Sequence, residues 1–533
     1  MLPPVHPQGN PDCPTGQSRE PAQPDDVQVN SLHDQEVLIL GLGASGLAMA
    51  RWCARCGAKV TVADTRAEPP QLQRLRQDVP GARFLSAAMD RLLLEGTSIR
   101  AVFRSPGLSP ASVADVQNAA RAMGLWTGGE LSLFTRALAE LKASRGYVPQ
   151  VLGISGTNGK TTVTSLTGQL IKRAGKSVMV AGNIGPTLLD TLGASLDADA
   201  LPEIWVLELS SFQLESASDF EPTAATVLNL TQDHLDWHVG MEAYSAAKAK
   251  VFGERGLMVL NRDDPKVMAM RPAPVRARLQ RPVEREMITF GGDMPQRPGD
   301  FGIELVNGIA WLVRALEGDE TRRRRKDDVE ALHIQRLMPA DALRIRGRHN
   351  AVNALAALAL AGAAGCTLAS MLYGLREYRG EPHRVEPVGV LRDVEYFDDS
   401  KGTNVGATVA ALDGLGADRK VVVILGGESK GQDFSPLAQS VTRSARVAVL
   451  IGRDAPLIRS ALEKTAVPLL DAASMADAVR LASQHAHAGD AVLMSPACAS
   501  FDMFRNYEHR AAAFRDAVMA LADEAGVQLE VAA

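Results

Sequence analysis

The chain has 533 residues, of which 46% are hydrophobic and 22% are charged, and its formal net charge is −5. This length is too great for one ordinary core, so it predicts three globular domains. The weak negative charge gives no general attraction to nucleic acid, and five cysteines are too few for a disulfide framework, so we expect small-molecule partners and a reducing, cytoplasmic setting. No run of residues reaches membrane-spanning length, which argues against membrane insertion.

The N-terminal part combines a polar tail with a nucleotide-binding pattern. Residues 1–34 are rich in Pro, Gln and Asp and lack the apolar stretch of a secretory signal, so we expect a disordered tail. A strand at 36–40 then runs into Gly41-Leu42-Gly43-Ala44-Ser45-Gly46 and a helix, and a second strand ends at Asp64. This pattern is typical of a dinucleotide-binding unit. It does not by itself distinguish a nicotinamide from another nucleotide diphosphate, because any diphosphate can use the loop and the helix N-terminus.

The most informative segment is Gly153-Ile154-Ser155-Gly156-Thr157-Asn158-Gly159-Lys160-Thr161-Thr162, between a predicted strand and a predicted helix. Its glycines allow backbone N–H groups to face an anion, and Lys160 adds a positive charge where the β- and γ-phosphates would lie. Ile154 stands where the common pattern has its first Gly, but the shorter Gly-Thr-Asn-Gly-Lys-Thr form is present. A glycine-rich turn is the alternative, yet the order of strand, loop and helix favours phosphate binding, with Thr161 as a Mg²⁺ ligand. An ATP-dependent enzyme or an ATP-driven switch follows.

The central unit continues with strands that alternate with helices, which implies a parallel sheet covered on both faces. The strands are predicted at 150–154, 204–209, 226–230 and 257–260. Between about 282 and 340 the pattern is irregular, and the basic run at 322–326 is expected to be a solvated loop.

Two side chains of this unit have both a chemical and a structural interpretation, whereas a third, Lys248, has only a structural one. Glu208 ends a buried strand beside the phosphate loop and could hold Mg²⁺, although a strand-end acid can also face solvent. His234 follows another strand and could be a ligand, although for this residue alone a structural histidine is the favoured interpretation. The pattern around Lys248, on an alanine-rich helix, is that of a solvated face.

The C-terminal unit has strands predicted at 394–398, 420–425, 446–451 and 491–494 and a helix at 508–525. Polar loops at 398–404, 426–430 and 495–501 follow three of these strands. They suggest a site for a small carboxylate-bearing substrate, with ordinary helix capping as the alternative for each loop. The predicted fold class is α/β, with three domains that each have a mainly parallel sheet flanked by helices: Rossmann-like at 35–138, P-loop ATPase-like at 139–380 and Rossmann-like at 381–533.

Taken together, these motifs resemble the Mur ligases, from about residue 36 to about residue 525. The most specific strings are GTNGKTT at 156–162, LELSSFQLE at 207–215, NLTQDHLD at 229–236, DDSKGTNVGAT at 398–408 and SPACASFDMFRNYEHR at 495–510. Two of them, LSSFQLE and PACAS, point to the branch that adds D-glutamate. The resemblance implies a cytoplasmic, monomeric, ATP-dependent ligase of peptidoglycan precursor synthesis. Its substrates would be ATP, D-glutamate and UDP-N-acetylmuramoyl-L-alanine, joined through an acyl phosphate.

The resemblance also implies residue roles. The nucleotide substrate would contact Gly43, Ala44, Ser45, Gly46, Thr65, Arg66, Ser105, Pro106, Gly107, Asn183 and Ser210. ATP would contact Gly156, Thr157, Asn158, Gly159, Lys160, Thr161, Thr162, Asn350 and Arg384. Mg²⁺ would bind Thr161 with Glu208, and His234 with a carbamylated Lys248; Lys160, Glu208, His234 and Lys248 would be catalytic. D-Glutamate would contact Lys401, Thr403, Lys430, Ser500, Phe501 and Tyr507.

Some positions depart from the family pattern, and other functions remain as alternatives. Glu428 and Arg348 stand where Asp and Gln are expected, and the tail and basic run lie outside the pattern. A nicotinamide-dependent dehydrogenase built on residues 41–46 and Asp64 would leave the phosphate loop unexplained. A non-catalytic ATP switch would hydrolyse ATP without needing an amino acid. Another amino-acid-adding ligase, including the folate polyglutamating relatives, is disfavoured by the N-terminal glycine motif and the string at 210–215.

Overall fold

The computed structural model describes residues 31–274, 284–318, 332–417, 419–429 and 431–529. Most of the predicted tail, the basic run at 322–326 and Lys430 therefore lie outside the described residues. Residues 31–34, at the end of the predicted tail, form a turn in which Leu32 is buried. Three mainly parallel sheets flanked by helices confirm the predicted α/β class with three domains.

The first sheet is wholly parallel, with strand order β3-β2-β1-β4-β5. Its strands are β1 (Glu36–Leu40), β2 (Lys59–Asp64), β3 (Arg83–Ser86), β4 (Ile99–Arg104) and β5 (Trp126–Gly128). The helices of this unit are α1 (Ala44–Arg55), α2 (Leu72–Asp78), α3 (Ala114–Ala122) and α4 (Glu130–Arg145). After Glu36, the central strand β1 is apolar and buried, as expected for a parallel sheet with both faces covered. The glycine motif lies at its carboxyl end, where such sheets bind ligands.

Close packing in this motif makes Gly46 a sensitive position. A Cβ atom there would lie 2.1 Å from the carbonyl oxygen of Gly41, so backbone would have to move. We expect Gly46→Ala to destabilise the protein by about 1–3 kcal/mol. Gly193→Ala is the matched control, since a Cβ at that helical position meets nothing within 4 Å and alanine favours helix. Chemical denaturation of both variants would test this, and a Gly46 variant as stable as the control would contradict the packing argument.

The central sheet is also parallel, with strand order β11-β10-β9-β6-β8-β7. Its strands are β6 (Gln150–Ser155), β7 (Val178–Gly182), β8 (Ile204–Glu208), β9 (Ala224–Val227), β10 (Leu257–Asn261) and β11 (Met287–Phe290). Its helices are α5 (Lys160–Arg173), α6 (Leu188–Asp197), α7 (Ser211–Glu215), α8 (Leu235–His238), α9 (Met241–Ala249), α10 (Pro265–Met268), α11 (Arg348–Ala363) and α12 (Leu368–Glu377). The strand predicted at 226–230 ends earlier, because Asn229 turns to bond the phosphate loop.

The region 282–340, where the sequence pattern is irregular and no strand was predicted, contains β11 and a three-stranded antiparallel sheet. This sheet has the order β12-β13-β14 and consists of β12 (Phe301–Val306), β13 (Ile309–Glu317) and β14 (Leu332–Pro339). Only part of each strand is buried, notably Leu312 and Met338, which join the core around α11. The strands mix polar and apolar residues, as expected for a half-exposed antiparallel sheet. This mixture gives no clear strand signal in the sequence.

The third large sheet has the order β15-β16-β20-β17-β18-β19, and only its edge strand β15 is antiparallel. Its strands are β15 (Glu386–Leu391), β16 (Val394–Asp398), β17 (Val421–Gly426), β18 (Ala445–Ile451), β19 (Leu469–Asp471) and β20 (Ala491–Met494). Its helices are α13 (Val405–Leu415), α14 (Leu437–Ser444), α15 (Ala455–Leu462), α16 (Met475–His485) and α17 (Tyr507–Glu524). Among the described residues, every helix is too short or too polar to cross a membrane.

Candidate active site

The phosphate loop connects β6 to α5, and a lysine at its end bonds back to the backbone of the loop. Lys160 begins α5, and its Nζ donates hydrogen bonds to the carbonyl oxygens of Gly156 and Thr157 at 2.8 and 2.7 Å. Gly156 and Gly159 have φ angles of +146° and +81°, which a side chain would strain. The Asn158 N–H donates to the Asn229 side chain at 2.8 Å, which fixes the loop against the end of the neighbouring strand. The arrangement holds a cationic side chain at a helix N-terminus, as phosphate binding requires.

Glu208 lies at the end of β8, and its side chain is buried beside this loop. Its Oε1 accepts a hydrogen bond from Asn183 Nδ2 at 2.7 Å, whereas its buried Oε2 has no hydrogen-bond partner among the described residues. Burial lowers the pKa of Lys160, and the charges of Glu208 and Asp233 oppose that shift. An unpartnered buried carboxylate oxygen is costly, and a cation is the natural group to satisfy it.

Lys248 is 1% exposed, so the interpretation of this residue as part of a solvated face is wrong. Its Nζ donates to the Gly156 carbonyl oxygen at 2.7 Å and lies 4.7 Å from the ring centroid of Tyr244. Burial, followed by the charge of Lys160, lowers the pKa of Lys248 well below its ordinary value. A larger fraction of its amine is therefore uncharged near neutral pH than in an exposed lysine.

Two histidines close to the loop differ in environment. The His234 side chain is 45% exposed, and its ring lies 4.7 Å from that of Phe212 between centroids. His238 is buried, and its Nε2 lies 2.8 Å from Ser211 Oγ. Burial, followed by the charge of Lys248, lowers the pKa of His238 to about 4. His238 has the environment of a structural histidine, whereas the His234 side chain is partly exposed.

Side chains from loops of the C-terminal domain contact the phosphate loop. Arg384 Nη2 donates to Thr161 Oγ1 at 2.6 Å, and the side chains of Asn404 and Asn158 form hydrogen bonds at 3.1 and 3.2 Å. A cleft lies between the two units and is lined by residues of both, including Lys401. Asn350 also lines this cleft. Five of the predicted ATP residues therefore line one cleft, namely Asn158, Gly159, Thr162, Asn350 and Arg384.

The residues predicted to bind D-glutamate are partly brought together. Lys401 Nζ lies 3.7 Å from the ring centroid of Tyr507. Ser500 is 3% exposed, whereas Phe501 is 65% exposed. Thr403 is half-buried, two residues after Lys401. Of these two neighbours, only Phe501 is exposed to solvent.

An ion pair between Asp64 and Arg66 lies beside the glycine motif of the first sheet. Asp64 accepts a hydrogen bond from the Leu42 N–H at 2.8 Å and two from the Arg66 guanidinium, each at 2.8 Å. These bonds, chiefly the one to the Arg66 side chain, lower the pKa of Asp64 to about 2. Both carboxylate oxygens are therefore used within the protein. This disfavours the dehydrogenase alternative, in which such an acid would bind the ribose hydroxyls.

The other residues predicted for the nucleotide substrate have mixed environments. Ser105 is buried near Gly41 and Gly46, and Thr65 is exposed at the end of β2. Ser210 caps α7 through a reciprocal pair of bonds with Gln213. The remaining members of this predicted set occupy the motif and the turn after β4, namely Gly43, Ala44, Ser45, Pro106 and Gly107.

Sequence reasoning overlooked several residues that shape the site. Asn353 lies against the phosphate loop, because a Cβ on Gly159 would approach its Oδ1 to 2.8 Å. Buried Arg510 donates to the carbonyl oxygens of Cys498 and Ser400, at 3.1 and 2.9 Å, and so joins two of the polar loops. No local sequence motif marks either residue, because their contacts join residues that are far apart in the sequence. Only the string that contains Arg510 pointed toward this region.

The fold and this site define a three-domain α/β protein with a phosphate loop at the junction of two domains. Family models match three segments: the MurD-like N-terminal domain of Mur ligases at 35–125, the Mur ligase middle domain at 154–361 and the Mur ligase glutamate ligase domain at 383–498. The chain belongs to the Mur ligase family.

Curated relatives and solved structures agree with this membership. The chain is 69% identical to the UDP-N-acetylmuramoylalanine--D-glutamate ligase of Albidiferax ferrireducens, over 95% of this chain and 100% of that protein. It is 60% identical to the protein of the same name from Polaromonas sp., over 93% and 100%. The MurF ligase structure from Thermotoga maritima in complex with ADP is similar in fold, with a TM-score of 0.53 and 15% identity over 93% of this chain and 100% of that one. MurC from the same organism gives a TM-score of 0.51 and 17% identity over 92% and 100%.

Proposed function

We propose that this protein is an ATP-dependent ligase that joins D-glutamate to UDP-N-acetylmuramoyl-L-alanine in cytoplasmic peptidoglycan precursor synthesis. The observation that carries the proposal is the convergence of Lys160, Glu208, Lys248 and Arg384 on one phosphate loop between two domains. The relatives that bear this activity in their names match almost the whole chain. We further propose that the protein acts as a monomer on small molecules, without nucleic acid or membrane insertion.

Each domain would then hold one substrate. Residues 35–138 would bind the uridine nucleotide through the glycine motif, Thr65, Arg66 and the turn at 105–107. Residues 139–380 would bind ATP, and 381–533 would bind D-glutamate near Lys401 and Tyr507. Lys430 belongs to the same proposed set but lies outside the described residues. Assembly at a domain junction makes the encounter of three substrates effectively unimolecular.

The chemistry has two steps. The L-alanyl carboxylate attacks the γ-phosphorus of ATP, the bond to the bridging oxygen breaks, and ADP leaves an acyl phosphate behind. The amine of D-glutamate, after losing a proton, attacks the acyl carbon, and the tetrahedral intermediate releases inorganic phosphate to give the amide. Lys160 neutralises charge that spreads over the phosphoryl oxygens, and Arg384 approaches the same group from the third domain. Closure of that domain shields the acyl phosphate from water.

The donor set around the loop fits Mg²⁺. Thr161 and Glu208 would hold one ion, which is supported by the unpartnered, buried Oε2 of Glu208. His234 and a carbamylated Lys248 would hold a second ion. Bound Mg²⁺ would supply charge neutralisation at the phosphates. Carbamylation converts the uncharged amine and CO₂ into a carbamate anion and a proton, and the lowered pKa of Lys248 favours the amine form that reacts.

Removing the charge of Glu208 tests its role toward Mg²⁺. We expect Glu208→Gln to lower kcat by about a hundredfold or more, and to shift the Mg²⁺ dependence of turnover to higher concentration, because an anionic oxygen ligand becomes a neutral amide. Glu254→Gln, at an exposed position, is the matched control and should behave as the unmodified protein. An unchanged Mg²⁺ dependence in Glu208→Gln would contradict the assignment.

Product analysis tests the proposed function itself. The protein is incubated with MgATP, UDP-N-acetylmuramoyl-L-alanine and labelled D-glutamate. The products are then separated, and their masses are determined by mass spectrometry. We expect a labelled product with the summed mass of the two substrates minus one water, formed only when ATP is present. ADP formation without this product would support the ATP-switch alternative instead.

A further inference from the structure

The segment that carries Arg384 has an unusual backbone. His383 and Val385, on either side of Arg384, have φ angles of +63° and +51°. Left-handed backbone is unfavourable for a residue with a side chain, and it is especially rare for a β-branched residue such as valine. Such conformations persist only where the surrounding structure holds them in place. The backbone of the segment between α12 and β15 is therefore fixed by contacts with the surrounding structure.

Two adjacent buried acids at the end of β16 supply the restraints. His383 Nδ1 donates to Asp398 Oδ2 at 2.7 Å, and the Val385 N–H donates to Asp399 Oδ1 at 3.2 Å. Asp398 is 0% exposed, and its other oxygen accepts bonds from the Ser400 N–H and hydroxyl at 2.9 and 2.6 Å. The residues flanking Arg384 are thus fixed to the first polar loop of the third domain.

Further bonds complete this attachment. The His383 N–H donates to Glu386 Oε2 at 2.8 Å, and the Lys401 N–H donates to the His383 carbonyl oxygen at 3.1 Å. His383, Glu386 and Asp398 place potential ligand atoms within 4.8 Å of one another, a spacing that would suit a cation. Arg515, however, pairs with Glu386, and its Nε lies 3.7 Å from Asp398 Oδ2. A guanidinium already balances these carboxylates, which favours a structural attachment over a metal site.

The consequence appears at the phosphate loop. Arg384 extends from this fixed segment and reaches Thr161 Oγ1 at 2.6 Å across the domain boundary. A long arginine side chain loses conformational entropy when it is held in one position, and a fixed backbone reduces the number of torsions that remain to be ordered. A shift of about 1 Å at such a group can cost a hundredfold in rate.

We propose that His383, through its hydrogen bond to Asp398, is a positioning residue that aims Arg384 at the phosphate loop. The proposal rests on the proposed function, because Arg384 matters only if ATP reacts there. His383 acts without touching a substrate. Its contribution is therefore expressed through Arg384 and disappears when Arg384 is absent.

A double-mutant cycle tests this dependence. We expect His383→Ala to lower kcat by about ten- to a hundredfold, with the KM for D-glutamate changed less than about threefold. In the Arg384→Ala background, the same substitution should lower kcat by less than about twofold, since the group it positions is gone. Equal fold-losses in both backgrounds would overturn the proposal and show that His383 acts independently of Arg384.

A conservative variant separates positioning from loss of the fold. His383→Asn places an amide donor near the position of Nδ1, and asparagine tolerates left-handed backbone better than most residues. On a logarithmic scale, we expect this variant to recover at least about half of the loss in kcat that His383→Ala causes. An asparagine variant as impaired as the alanine variant, although folded by circular dichroism, would overturn the role of the Asp398 hydrogen bond. His485→Ala, at a histidine that bonds a carbonyl oxygen within its own helix, is the matched control and should leave kcat unchanged.

The same assays distinguish failure of this proposal from failure of the proposed function. If the unmodified protein releases phosphate without needing D-glutamate, the proposed function fails whatever the cycle shows. If turnover needs D-glutamate but Arg384→Ala retains it in full, the positioning proposal fails and the ligase function stands.

Discussion

Lys160→Ala should lower kcat by about a thousandfold or more while the fold remains intact. The lysine Nζ is held by two carbonyl oxygens of the phosphate loop, and with ATP bound it would exchange them for phosphoryl oxygens. Charge on those oxygens increases in the transition state, so the lost interaction is greater there than in the ground state. Turnover measured as phosphate release at saturating substrates, together with thermal unfolding, would check this expectation.

The same helix provides a control for Lys160. Lys172 is exposed near the end of α5, so Lys172→Ala removes an equal charge from the same element without disturbing the loop. We expect it to retain nearly full turnover. Near-normal turnover in Lys160→Ala would contradict the assignment of the phosphate loop.

Lys248→Ala should lower kcat by about a hundredfold or more, and a small carboxylate such as acetate should restore part of the loss. The Lys248 side chain is buried against the Gly156 carbonyl oxygen, and we propose that its carbamate binds Mg²⁺. A carboxylate that diffuses into the space left by the side chain can replace that anion, which an added amine cannot do. The measurement is kcat with increasing acetate or ethylamine, both at fixed ionic strength.

Two controls separate this chemical role of Lys248 from packing. Lys248→Met keeps most of the buried volume without an amine, and it should be as inactive as the alanine variant although better folded. Lys250→Ala changes a lysine that bonds the Glu215 carbonyl oxygen instead, and it should keep most activity. Full activity of Lys248→Ala without any carboxylate would show that the residue has no catalytic role.

Local patterns predicted much of the fold. The strands at 394–398 and 491–494 coincide with β16 and β20, because short apolar runs bounded by polar loops are a strong signal in a covered parallel sheet. The antiparallel sheet β12-β13-β14 could not be predicted in this way, since its strands are only half-buried. The end of β9 was misplaced because tertiary bonding draws Asn229 out of the apolar run toward the phosphate loop.

Chemistry at the candidate site was less predictable than the fold. The phosphate loop and Glu208 follow strands in sequence, so their proximity follows from parallel topology alone. The pattern around Lys248 suggested a solvated face, because the helical pattern does not show which surface covers an alanine-rich helix. The approach of Arg384 to Thr161 joins residues 223 positions apart and depends on how two domains dock, so periodicity could not reveal it.

The most direct test of the central claim is phosphate release from MgATP in the presence of UDP-N-acetylmuramoyl-L-alanine. The assay compares D-glutamate with L-glutamate, D-alanine, L-lysine and no amino acid. The proposed function predicts release that depends on D-glutamate alone, because its amine is needed to discharge the acyl phosphate. Release at the same rate with every amino acid, or with none, would contradict that function.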